Sequence, residues 1–440
     1  MVTTSSLGRP SVFSWARRFQ LRQRLIGSLW VIPLLGAVLG AVLGSADAWH
    51  DPVARLPTAW QYSAGTASGV LTTIIAAMVG LFGFVVTIGV LVVQMATGTL
   101  SPRFMRLWYR DRLQKLTLAS FVGTVTFAFA VLRGITNSSV PSLGVSVAGL
   151  AFIVNLILLL LYLDRFVHNL RPVSVGDMVG RRGLQEGRHA IRGAAAAGVT
   201  IARAPNPLAA SDPVMVVGLG EGGALHAINL HGLVGMAVKY GCAIEMRCSV
   251  GDFVPSGFPV VNIHPAEQLP DARVVAGMIA LGQERSIEDD PAFALRIMVD
   301  IAIRALSPAV NDPTTAVQLI NQIEALIRGL APDLDQQQHL VATDPNGTVR
   351  LVVPVRTFED YLRLAVTEIR EYGGESIQVC RRLKAMLEGL NDIVDPACRP
   401  AVEAELARLD RTVTAHFPDS EERQFARQPD RQGIGGPDER

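Results

Sequence analysis

The sequence predicts a membrane α-helical fold of four transmembrane helices, followed by a cytoplasmic α+β domain with a small β-barrel-like part and a helical part. Three observations lead there. Only 18% of the 440 residues are charged, against roughly 25% in soluble domains, and the mean hydropathy is +0.32. Residues 1–164 hold 12 basic and 4 acidic side chains, while residues 165–440 hold 28 basic and 35 acidic. Apolar runs of bilayer length fall only in the first part. This composition is unlike that of an ordinary cytosolic enzyme.

The first run lies between Arg24 and Asp47, 22 uncharged residues that include Leu29 to Leu43. The others extend from Val70 to Ala96, Leu116 to Leu132 and Leu143 to Leu163. A spanning helix needs about 20 residues, so all four qualify, the third with Arg133 snorkelling to the interface. Pro33 is expected to bend the first helix by removing a backbone hydrogen bond. Ala46-Asp47-Ala48 mimics a cleavage site, but the run ahead of it exceeds the roughly 7–15 apolar residues of a signal peptide. It is therefore read as a retained span.

Basic loops set the orientation. Arg9, Arg17, Arg18, Arg22 and Arg24 precede the first run; Arg103, Arg106, Arg110, Arg112 and Lys115 separate the second from the third; Arg165, Arg171, Arg181 and Arg182 follow the fourth. The two remaining loops contribute only Arg55 and Arg133. Both termini and the acidic domain are thus expected in the cytoplasm of a bacterium, with the spans in its inner membrane. The expected divisions are an N-terminal segment (1–24), the membrane domain (25–164), a polar connector (165–204), a β-rich subdomain (205–270), a helical subdomain (271–418) and a disordered tail (419–440).

Small residues mark two membrane helices. Gly36, Gly40 and Gly44 form a repeated GxxxG, which lets another backbone approach, either within one subunit or between subunits. Thr73, Gly80, Thr87 and Gln94 recur every seven residues, and Ala76, Gly83 and Thr97 share their face. Leu81, Phe82, Val85 and Val92 are expected opposite, toward lipid. The weakly polar stripe could line a water-filled path or pack against other helices. With it, Arg103, Arg106 and Arg110 would form an anion-attracting cytoplasmic mouth, unless they serve topology alone. No Asp, Glu, Lys or His lies at mid-membrane depth, which counts against proton-coupled transport.

In the second part, Val214–Gly218, Ala224–Ile228, Ala243–Cys248 and Phe258–Ile263 read as strands and Leu230–Tyr240 as a helix. A turn-rich connection at Gly251–Gly257 suggests the small barrel. Gly218-Leu219-Gly220-Glu221-Gly222-Gly223 satisfies GxGxxG with Glu245 downstream. No unbroken helix opens at the last glycine, which argues against a dinucleotide site. Cys242, Cys248, Cys380 and Cys398 lack zinc spacing and read as reduced, buried thiols.

Further on come helices at Ala292–Leu306, to about Leu330, Phe358–Glu371, Ser376–Leu390 and Pro400–Ala415, with a strand at Val349–Val355. Arg296, Asp300 and Arg304 share one helical face, where Asp300 can pair with either arginine. Asp312 caps the next helix, with Pro313 at its first position. Arg285, Asp300, Arg304, Ser307, Asn311 and Asp312 form the candidate signature site. One reading is a capped helix-turn-helix; the other is a contact with an ion, a phosphate or a neighbouring subunit.

The run Arg304-Ala305-Leu306-Ser307-Pro308-Ala309-Val310-Asn311-Asp312-Pro313-Thr314-Thr315-Ala316 resembles the signature of a bacterial family of predicted membrane proteins of unknown function. Leu100–Arg103, Leu281–Arg285 and Ile369–Gly373 extend the resemblance over about residues 25–415. It implies topology and no activity. The hairpin Gly251–Pro259 also resembles lipoyl-type barrels, but no lysine sits in its turn.

No GxSxG, HExxH, Walker loop or paired-carboxylate array is present. No catalytic residue, metal, cofactor or nucleic-acid partner is expected. The expected partners are the bilayer, further copies of the chain and small ions. Two functions remain: a homo-oligomeric ion channel gated by its cytoplasmic domain, or a non-transporting sensor or scaffold that binds a ligand or protein.

Overall fold

The computed structural model describes residues 4–8, 14–46, 61–99, 111–136, 139–169, 171–195, 200–265, 268–288 and 290–433. Two compact units divide the chain: Arg24–Arg171, and Met1–Gln23 together with Pro172–Arg440.

The first run is not one helix. Helix α1 (Trp15–Gly27) ends there and α2 (Val31–Gly44) begins after a break. Gly27 is a poor helix former, and Ser28 Oγ accepts from Trp30 N at 3.3 Å, competing with helix continuation. Pro33, expected to bend the helix, sits instead in the first turn of α2. A missing N–H there costs nothing, because those donors have no intrahelical partner.

Helices α3 (Ala64–Thr99), α4 (Arg112–Arg133) and α5 (Ser142–Asn169) complete the membrane unit. Three stretches, Ala64–Gln94, Arg112–Arg133 and Ser142–Arg165, are long and apolar enough to cross a bilayer. A fourth span is reached only by counting the bent pair of α1 and α2 as one.

Glycine sets the α2–α4 packing. A Cβ at Gly36 or Gly40 would overlap the carbonyl oxygen of Ala119 or Gly123, and one at Gly44 would lie 2.6 Å from that of Phe127. The register 36/119, 40/123, 44/127 makes the helices parallel. Thr126 Oγ1 donates across the seam to the Ala37 carbonyl at 2.9 Å. The GxxxG face is therefore spent inside the chain.

Leu71, Ile74, Met78 and Val85 of α3 pack with Phe121, Phe127 and Val131 of α4 and with Val145, Ala148 and Leu159 of α5. Val85 and Val92, expected to face lipid, are buried. The large residues 71, 78, 85 and 92 repeat every seven positions, so they form the seam facing the bundle. Asn155, fully buried, donates to Thr124 Oγ1 and to the Ala151 carbonyl, both at 2.8 Å. It is thus a helix–helix tie.

The second unit contains two sheets. Strands β1 (Thr4–Gly8), β2 (Thr200–Ala204), β3 (Met215–Leu219), β5 (Ile244–Met246), β7 (Pro259–Ile263), β9 (His339–Thr343) and β10 (Val349–Pro354) make the larger, in the order β1-β3-β7-β5-β10-β9-β2. The pairs β1–β3 and β5–β10 are parallel; the others are antiparallel. Strands β4 (Gly223–Ile228), β6 (Phe253–Val254) and β8 (Ile279–Gly282) form the smaller sheet, in the order β6-β4-β8. Neither closes, which corrects the barrel-like expectation. The turn-rich segment Gly251–Gly257 is no hairpin: β6 lies within it and β7 follows it, and the two belong to different sheets. Helix α7 (Leu230–Lys239) and α8 (Ala272–Ala276) bury Leu233, Ala237 and Val275 against Val217, Ile244, Val261 and Ile263.

A helical layer follows: α6 (Pro172–Ala195), α9 (Pro291–Ala305), α10 (Pro313–Leu330), α11 (Phe358–Gly373), α12 (Ile377–Asn391) and α13 (Arg399–His416). The segment expected as a polar connector belongs to this layer. Gly176, Gly183 and Gly187 of α6 would each place a Cβ within 2.8 Å of Leu319, Ala294 or Leu330, so α9 and α10 sit close on it.

Residues 419–433, expected to be disordered, are ordered on α12. Helix α14 (Ser420–Ala426) carries Phe425 against the buried Arg381 guanidinium, 4.1 Å from the ring centroid. Arg381 Nε donates to the Gln428 carbonyl at 3.1 Å, and Gln378 Nε2 to that of Gly433 at 2.8 Å. A low content of large apolar residues hid this docking, because polar contacts hold it.

Candidate functional site

Three candidate sites can be compared: the α3 stripe, the signature segment and the glycine-rich turn.

Where its side chains are described, the α3 stripe lies on the outer face of its bundle. Thr73, Ala76, Gly80, Gly83, Thr87 and Gln94 are all exposed. Thr66, Gly69 and Val90 continue the same heptad register and are exposed too. A Cβ at Gly69, Gly80 or Gly83 would meet nothing within 4 Å. Thr73 Oγ1 donates to the Gly69 carbonyl at 2.8 Å and Thr87 Oγ1 to that of Gly83 at 2.9 Å. Each hydroxyl keeps lone pairs facing outward while its proton is satisfied locally. Thr97 lies near the end of α3. Arg103, Arg106 and Arg110, the expected mouth, lie outside the described residues. Lys115, counted with them, is only 3% exposed and donates to the Ile26 carbonyl at the C-terminus of α1, where a cation is favoured.

The signature residues do not converge. Arg285 precedes α9, and its Nε and Nη2 bind Asp290 Oδ2 at 3.1 and 2.8 Å. Asp290 caps α9 through the Phe293 amide. Burial pushes its carboxyl above the usual range, against the pull of Arg285. Gly251, at φ +92°, leaves the room for this pair that a Cβ would fill. Asp300 lies most of the way along α9, bound by Arg296 Nε at 2.6 Å. Arg296 also clamps Glu368 of α11 with both terminal nitrogens, at 2.5 and 2.7 Å, and these bonds hold the guanidinium firmly charged.

The far end of α9, about 22 Å away for a 15-residue helix, carries the rest. Ser307 Oγ donates to the Arg304 carbonyl at 2.7 Å. Asn311 takes φ +47°, the left-handed region that Asn tolerates better than most residues. Asp312 then caps α10, accepting from Thr315 N at 3.0 Å and from Thr315 Oγ1 at 2.5 Å. Local chain reversal accounts for Ser307, Asn311 and Asp312.

The GxGxxG run is the β3–β4 turn. The helix α7 follows β4, not β3, and β4 pairs antiparallel with β6 and β8. Its glycines admit backbone: a Cβ at Gly218 would lie 2.9 Å from the Gly257 carbonyl, and one at Gly223 2.6 Å from that of Gly282. Glu245 accepts from Asn206 Nδ2 at 2.6 Å and Asn262 Nδ2 at 2.8 Å, and contacts His264 Nε2 at 3.2 Å. Burial alone would push Glu245 up; these bonds outweigh it and leave its carboxyl below the usual range. Sequence reading missed this cluster. The alternation Ile244-Glu245-Met246, buried at both ends, was the available sign that Glu245 points to the other face of its sheet.

All four cysteines are free and buried, and burial raises each thiol, Cys380 to about 12. Among the described residues, no group of three or more His, Cys, Asp or Glu could hold a metal ion.

An apolar helical unit joined to a large mixed α/β unit defines the class as a membrane protein. More particularly, residues 26–389 match the predicted membrane protein family DUF2254, and the chain belongs to that family. Relatives include an uncharacterized protein of Mycobacterium bovis and one of Mycobacterium tuberculosis. Each is 27% identical over 424 residues, covering 92% of this chain and 80% of the relative. No solved structure matches.

Proposed function

We propose that the protein is a homo-oligomeric pore for small ions in the bacterial inner membrane, with α3 lining the path and the α/β unit gating it. The exposed heptad face of α3 carries this reading. Lipid needs no glycine, threonine or glutamine at such positions, since tails are as apolar as leucine. A ring of copies would use small residues for close approach and the threonine oxygens for ions. Four helices in one chain cannot comfortably enclose an aqueous path, so the reading calls for several copies.

Topology supports it. The unit that holds 172–440 also holds 1–23, so an even number of crossings separates them. Three long helices then need a fourth, and α2, parallel to α4, supplies it as a short span. Both termini lie in the cytoplasm on this reading, beside the basic segments.

The test is the mass of the protein in nanodiscs, followed by ion flux in liposomes. A ring of three or more copies is expected, with conductance or selectivity altered by Thr87→Leu and Gln94→Leu while insertion is unchanged. A monomer would overturn the pore and leave the sensor or scaffold reading, in which the α/β unit binds a ligand or partner.

A further inference from the structure

The exposed face of α1 has a composition that neither its docking nor topology explains. One side of the helix is spent on the smaller sheet. Ala16, Trp15 and Phe19 pack with Ala227 and Ala280, the Ala16 amide donates to the Gly277 carbonyl at 2.9 Å, and Gln20 Nε2 donates to the Leu281 carbonyl at 2.7 Å. The opposite side is Arg17, Arg18, Leu21, Arg22, Arg24 and Leu25, all exposed.

At 3.6 residues per turn, Leu21 and Leu25 occupy the middle of that outer face. Arg17 and Arg24 flank them on one edge, Arg18 and Arg22 on the other. Leu21 is 59% exposed, Leu25 46% and Trp30, just past the helix, 65%. No acidic residue occurs in the helix.

An apolar centre between two arginine edges is the pattern of a helix lying in a bilayer interface. The leucines enter the acyl boundary while the arginine stems reach outward to headgroup phosphates. Trp favours the same depth. The positive-inside rule requires basic residues near a span; it does not require leucines centred between them.

We propose that the outer face of α1 is a binding surface for the anionic cytoplasmic leaflet, gripping lipid phosphates through Arg17, Arg18 and Arg22 with Leu21 and Leu25 inserted. Because its inner face is docked on β8, the helix couples leaflet charge to the α/β unit. The proposal is independent of whether α3 lines a pore.

The test uses the full chain in nanodiscs of phosphatidylcholine alone or with phosphatidylglycerol. An environment-sensitive fluorophore is attached at Leu21→Cys, with Val310→Cys as the exposed control; the native cysteines are buried. Lipid-tethered nitroxide is expected to quench the label at 21 several-fold more than the label at 310, and more strongly with phosphatidylglycerol present. R17Q/R18Q/R22Q should abolish that lipid dependence with unchanged circular dichroism. Quenching at 21 by aqueous iodide equal to that at 310 would overturn the proposal. Equal quenching in both lipids would overturn the recognition of anionic headgroups.

Discussion

Placing a methyl group in the α2–α4 seam has a cost that can be worked from the structure. Ordinary van der Waals contact for a Cβ begins at 3.4 Å; at Gly44 the added atom would sit 2.6 Å from the Phe127 oxygen, about 0.8 Å short. At Gly40 the overlap with the Gly123 carbonyl is deeper, and Thr126 Oγ1 stands 2.5 Å away. The carbonyl obstacles are backbone and cannot swing aside, so α2 must retreat along its length. Overpacking of this kind costs about 1–3 kcal/mol, and weakening of the Thr126–Ala37 bond adds about 0.6 kcal/mol, the average in a membrane bundle. Gly40→Ala should therefore destabilise by about 2–4 kcal/mol. Gly123→Ala, whose Cβ would lie 3.0 Å from the Gly36 oxygen, should cost less, and Gly149→Ala, with nothing within 4 Å, should be neutral or mildly stabilising. Equilibrium unfolding in mixed micelles, at fixed lipid and detergent, measures the series. Equal stability of the Gly40 and Gly149 variants would refute a glycine seam within the chain.

Three further outcomes are expected. Asp312→Ala should cost about 1 kcal/mol through loss of the α10 cap, whereas Asn311→Gly should be tolerated and Asn311→Val should cost more, because only the last strains a left-handed residue; thermal unfolding of the three variants checks the order. Glu245 has a lowered pKa in the folded chain, so the stability it adds is fully present above the ordinary carboxylate value and is lost as pH falls through the folded one. Wild type should accordingly exceed Glu245→Gln in stability at neutral pH and converge with it in acid, as urea titrations at several pH values would record. Cys380, with its thiol pushed up to about 12, should resist thiol reagents at pH 8 until the chain unfolds. Rapid labelling of the native protein at that position, located by peptide mapping, would contradict its burial.

Much of the helical layout is legible in the sequence because the causes are local. Asp290-Pro291 and Asp312-Pro313 each place a cap and a proline at a helix start, and α9 and α10 begin there. The break between α1 and α2 has local causes as well, but a continuous apolar run masked it. The strands at Thr200–Ala204, Ile279–Gly282 and His339–Thr343 went unread. Their stability comes from partners far along the chain: β9 needs both β2 and β10.

The candidate membrane site divides the same way. By itself the sequence determined that α3 is a long apolar helix with two seven-residue stripes, one of large residues at 71, 78, 85 and 92 and one of small residues at 73, 80 and 87. Which stripe faces the bundle was decided only by tertiary structure. In water, burial of apolar surface would choose the large stripe without ambiguity. In a bilayer both faces are permitted, and the shape of the partner helices makes the choice. The glycines of α2 followed the same logic: their pattern announced a close backbone, and only the fold showed that the backbone is that of α4 in the same chain.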